Sequence, residues 1–106
     1  MATIITEFVR IEVLQTTTRD QLLSKAEVIN SFIREQDGFL DAELIMPIDG
    51  NICYFIYHIE NMDKLKATGE KLRNNRLFDE ITPLIVPGSM SVMFSNQVKK
   101  WMPASY

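Results

Sequence analysis

Cysteine occurs once in the 106 residues, at Cys53, so the chain cannot close a disulfide within itself and gives no sign of an oxidising compartment. Glycine and proline are sparse, four of each beside 46% apolar residues, which excludes fibrous repeats and disordered low-complexity sequence. No apolar run approaches the roughly 20 residues of a membrane-spanning helix. Basic excess is also missing: the net charge is −3, whereas nucleic acid or an anionic membrane would demand a positive footprint. Glycine-rich phosphate loops, nucleophile elbows and CxxC pairs are absent. The single histidine, His58, has no Cys, Asp or Glu at ligand spacing around it, so no metal site is expected. The opening "MATIITEFVR" carries no basic n-region and runs directly into strand-like sequence. These features predict one cytoplasmic globular domain over residues 1–106, with about 99–106 as a C-terminal extension.

What is present has a clear order. Residues 3–14, "TIITEFVRIEVL", are rich in β-branched residues and predict a first strand. Thr18 with Gln21 fits a capping box, and Leu22, Ala26, Ile29 and Ile33 follow at spacings of four, three and four. That helix is expected to stop near Gln36, with Gly38 as its cap. "FLDAELIM" reads as a second strand, and Asp49-Gly50 as a two-residue hairpin turn into a third, Ile52–Ile59. Asn61 caps a second helix whose inner seam is Leu65, Thr68, Gly69 and Leu72, with Gly69 allowing close approach to the sheet. "LFDEITPLI" predicts a further helical piece ending around Pro83. "SMSVMFSN" predicts the last strand, and Trp101 is expected to anchor the tail by packing.

The order β-α-β-β-α-β defines an α+β, ferredoxin-like arrangement, a four-stranded antiparallel sheet with both helices on one face. The third strand conflicts with that picture for a lone chain. A half-exposed antiparallel strand alternates apolar with polar, but "ICYFIYHI" is apolar or aromatic at both parities. The helices cover one face; a second copy laid sheet against sheet is the simplest cover for the other. The expectation is a homodimer through the sheet face, forming a dimeric α+β barrel. A monomer carrying an exposed apolar face is the alternative.

The stretch "IREQDGFLDAELIMPIDGNICYFIYHIENMDKLKA" resembles the central segment of antibiotic-biosynthesis-monooxygenase-like domains of the dimeric α+β barrel superfamily. Gly38-Phe39 stands at their helix end, and Ile59-Glu60-Asn61 stands where those domains carry Trp-Glu-Ser. "LFDEITPLIVPGSMSVMF" is similar to their second-helix ending and final strand. The resemblance implies the fold over about the whole chain and a pocket between sheet and helices. The quinone-forming members use an Asn and a Trp four residues apart on the third strand; the matching positions here are Phe55 and Ile59. The haem-degrading members use a His on the second helix, where this chain has none.

Several side chains are candidates for chemistry. His58 is the one group whose ordinary pKa lies near neutrality, and it reads as a structural hydrogen-bonding residue, a proton carrier or an incidental surface group. The resemblance puts Phe55, Tyr57 and Ile59 toward the helices, and Tyr54, Ile56 and His58 the other way. Tyr57 is therefore a pocket candidate as well as a core residue, with Phe55, Ile59, Leu65 and Leu72 as walls. Glu7, Arg10 and Glu12 are polar in a strand that should be largely buried. They are edge-exposed, mutually paired or aimed into a cavity, where Arg10 would hold an oxyanion. The leading expectation is a monooxygenase-like enzyme that uses neither metal nor organic cofactor on a hydrophobic aromatic or polyketide-like molecule. In it, His58 or Tyr57 moves the proton. The alternative is a non-catalytic dimeric module that binds a small ligand as a sensor or carrier.

Overall fold

The computed structural model describes residues 3–105. Strand β1 (Ile5–Glu12) leads into helix α1 (Arg19–Ile33), then β2 (Phe39–Ile45), β3 (Ile52–Ile59) and helix α2 (Met62–Asn74). Two short 3-10 turns, Leu77–Glu80 and Thr82–Leu84, precede β4 (Ser91–Asn96). The four strands form one antiparallel sheet in the order β2-β3-β1-β4, so the fold is the expected α+β, ferredoxin-like one.

Local chemistry accounts for each helix. Thr18 accepts from the Gln21 backbone N–H at 3.1 Å, while Gln21 Oε1 accepts from the Thr18 N–H at 2.8 Å, closing the predicted capping box. Asn61 caps α2 by accepting from Lys64 N–H at 3.0 Å. The apolar stripes Leu22, Ala26, Ile29, Ile33 on α1 and Leu65, Thr68, Leu72 on α2 are buried against one sheet face. There they meet Ile5, Val9, Ile11, Cys53, Phe55, Tyr57 and Ile59 in one core. Ile11, on the central strand, has no exposed surface at all.

Two boundaries differ from the sequence expectation. Helix α1 ends at Ile33, and Arg34–Gln36 form a turn before Gly38, whose φ of 90° only glycine adopts easily. The β2–β3 connection spans residues 46–51 instead of a tight Asp49-Gly50 turn. Gly50 is the residue there with positive φ, at 106°, and Pro47 cannot donate to the ladder that a tight hairpin would extend. The helical piece ends around Pro83 as expected, but as two 3-10 turns, with Pro83 in the first positions of the second, where its missing N–H costs nothing. Residues 98–105 are exposed in the single chain, Trp101 to 80%.

Gly69 also corrects an expectation. A methyl group placed on it would meet only Arg73 Nη1, at an ordinary 3.5 Å, so close helix–sheet approach does not require glycine here. Gly69→Ala is therefore expected to stabilise the fold by about 0.5–1 kcal/mol through helix propensity and a less entropic unfolded chain. A thermal melt raised by a few degrees checks this; an unchanged or lowered Tm contradicts it.

Candidate active site

Strand periodicity sorts the polar residues of β1 to opposite faces. Glu7 pairs with Tyr57 on β3 and Phe94 on β4, and directly paired residues share a face, here the helix side. Arg10 pairs with Tyr54 and Ser91 on the other side. Between the Glu7–Tyr57 row and α2 lies a cleft of about 490 Å³, large enough for a bicyclic aromatic molecule. Its walls are apolar, with Ile59, Leu65 and Leu72 joined by Met62, Phe78, Met90 and Phe94; Gly69, Lys66 and Arg73 of α2 also border it. Phe55 lines a recess of about 30 Å³ bordered by many of the same side chains. Its ring lies nearly parallel to that of Tyr57, with centroids 6.3 Å apart.

Two polar groups enter this apolar space. The Tyr57 hydroxyl donates to Asn30 Oδ1 on α1 at 2.9 Å. Burial holds the Tyr57 pKa above its ordinary value and the nearby Glu7 charge pushes the same way, so the phenol stays neutral. The Glu7 carboxyl has no hydrogen-bond or ion-pair partner among the described residues, and burial alone raises its pKa. Glu12, by contrast, accepts from Asn51 Nδ2 at 3.3 Å.

Of the residues singled out from sequence, Tyr57, Ile59, Leu65 and Leu72 line the cleft, and Phe55 the recess beside it. His58 and Arg10 do not join them. His58 lies on the opposite sheet face, where its Nδ1–H donates to Asp41 at 2.6 Å across the β2–β3 pair. Arg10 is exposed on that same face, away from Tyr57. A period of two places residues 10 and 58 away from 7 and 57. Sequence reasoning left Glu7 unresolved among three fates and passed over Asn30; the readable signal for Glu7 was its parity with Ile5, Val9 and Ile11.

A depression of about 430 Å³ near the start of α1 is bordered by Arg19, Met46 and Asn51. The Asn51 amide there already donates to Glu12 and to the Val13 carbonyl. Among the described residues no group of three His, Cys, Asp or Glu side chains could hold a metal ion. No helix among them is long and apolar enough to cross a membrane.

Sheet order, helices on one face and the intervening cleft define a ferredoxin-like α+β architecture with a pocket between its layers. No protein-family model and no curated protein matches the chain. Solved structures do. SnoaB, a cofactor-independent oxygenase from Streptomyces nogalater, superposes with a TM-score of 0.79 at 15% identity, covering 97% of this chain and 100% of that one. The monooxygenase ActVA-Orf6 of Streptomyces coelicolor, solved with Nanaomycin D, gives 0.75 at 18% identity, covering 96% and 94%. A dimeric ferredoxin-like protein from Thermobifida fusca gives 0.70 at 9%, covering 92% and 93%. At such identities the likeness establishes the fold.

Proposed function

We propose that this chain is a cofactor-independent monooxygenase-like enzyme, active as a homodimer on a hydrophobic aromatic or polyketide-like molecule bearing a phenol or enol. The observation that carries this reading is the apolar cleft between sheet and α2, entered by the unpartnered Glu7 carboxyl and bordered by the neutral Tyr57 phenol. The oxygenase fold of SnoaB and ActVA-Orf6 supports it.

The walls would exclude water and hold the ring, with Met62 and Met90 adapting to its outline. A deprotonated phenol or enol carries electron density at a ring carbon, which attacks dioxygen, the co-reactant. One oxygen atom stays on that carbon as a carbonyl, and the other leaves as water with the two hydrogens lost from the O–H and C–H positions. Tyr57, its proton committed to Asn30, serves as wall rather than base.

Oxygen uptake with a panel of naphthols and anthrols tests the proposal. Uptake that saturates with substrate and yields quinone supports it. Binding without uptake supports the ligand-binding module, and neither binding nor uptake overturns both. Tyr57→Phe is expected to lower stability by about 1 kcal/mol, the value of roughly one hydrogen bond to Asn30, and to leave naphthol binding within about threefold. Titration calorimetry and thermal melts check the two effects.

A further inference from the structure

We infer that Glu7 is the base that takes the proton from the hydroxyl of a phenol or enol bound in the cleft, an assignment that rests on the cleft reading above. Three observations lead to it. Glu7 shares the cleft-facing row with Tyr57 and Phe94 at the middle of the sheet, where a fixed β1 backbone aims its carboxyl into the apolar space. No group among the described residues pairs with that carboxyl, so both oxygens are free to accept from a ligand. Glu7 is half-buried, at the boundary between solvent and the apolar walls, where a ligand hydroxyl can reach its carboxyl.

The transfer balances simply. The ligand O–H bond breaks, a carboxyl O–H forms on Glu7, and the electron pair stays on the ligand oxygen, delocalised into its ring. Glu7 later returns the proton to the oxygen atom that leaves as water, dioxygen being the oxidant. Burial raises the Glu7 pKa, which increases its strength as a base. The other ionisable groups lining the cleft are Tyr57 on β3 and Lys66, Glu70 and Arg73 on α2.

The probe is 2-naphthol, whose excited state is a strong acid and hands its proton to a hydrogen-bonded carboxylate, giving naphtholate emission. With the full chain at about pH 8, bound 2-naphthol is expected to show that emission. Glu7→Gln should bind the probe within about threefold of the native chain yet lose most of the naphtholate band. Its oxygen uptake should fall about 10²- to 10⁴-fold in kcat with KM little changed. In the native chain the emission should fade with acid at a midpoint above the ordinary carboxylate value of 4.5.

Stability supplies a readout independent of turnover. A carboxyl whose folded pKa is raised holds its proton more tightly folded than unfolded, so the fold loses stability as pH rises through that window. Glu7→Gln should therefore raise Tm by a few degrees at about pH 8, with the gain vanishing near pH 4. If the variant binds 2-naphthol with unaltered emission and turnover, the Glu7 assignment is overturned while the cleft reading stands. If the native chain does not bind the probe, the cleft reading falls and takes the assignment with it. Should the variant not fold, native-chain emission that does not respond to acid overturns the assignment by itself.

Discussion

Replacing Gly38 with alanine is expected to lower stability by about 2–4 kcal/mol, and Tm by roughly 10–20 °C for a chain of this size. Gly38 has a φ of 90°, a conformation that costs an L-residue about 1–3 kcal/mol. Space is also lacking: a methyl group there would lie 2.6 Å from Lys64 Cδ and 2.8 Å from Lys64 Cβ. The distal Cδ could swing aside, but Cβ is fixed to the α2 backbone, so the helix itself must shift. That shift would pull on two attachments. Lys64 Nζ bridges Glu60 at 3.1 Å and Asp37 at 3.4 Å, and the Gly38 carbonyl accepts from Glu60 N–H at 2.8 Å where β3 ends. The junction of α1, β3 and α2 thus turns on one residue without a side chain. Chemical denaturation checks the prediction; a loss below about 1 kcal/mol would show that α2 moves more freely than this packing allows.

Ile56→Asp is expected to convert the proposed dimer into a monomer, weakening self-association by at least about 10²-fold. Ile56 sits in the middle of the face away from the helices, in a cross-strand row with Glu43, Phe8 and Met93. The adjoining row holds Ile45, Tyr54, Arg10 and Ser91. This face is unusually apolar for one left in water, with Met93 57% and Tyr54 37% exposed. Two such faces laid together would bury Ile56 near the centre, where an unpaired carboxylate is costly. The substitution leaves the core side of β3 untouched, so cooperative melting should persist. Sedimentation velocity decides: a native chain that already runs as a monomer at micromolar concentration removes the interface altogether.

The same substitutions show how far the sequence could be read. Both helices were legible because their signals are local: a capping box at Thr18 and an N-cap at Asn61, each followed by apolar residues at helical spacing. The β3 boundaries, Ile52–Ile59, were legible because β-branched and aromatic residues end abruptly at Asn51 and Glu60. The turn at Asp49-Gly50 misled, since the pair satisfies a hairpin locally while Pro47 prevents the ladder from reaching it. Gly69 misled in a similar way: a glycine on a helix seam suggests close contact with the sheet, yet here a methyl would meet only Arg73 Nη1, beside the cleft.

The order and type of the elements, the apolar face of each helix and the parity of every strand follow from residue spacing alone, because hydrogen bonding and burial repeat with fixed periods along a chain. The contents of the cleft do not. Glu7 meets Tyr57 only through the β1–β3 register, and Tyr57 meets Asn30 only because α1 crosses that row. His58 and Arg10, as suggestive in sequence as either, end on the far face. Periodicity says which residues share a side, but tertiary packing alone decides which carboxyl is left without a partner, since that depends on every group able to reach it.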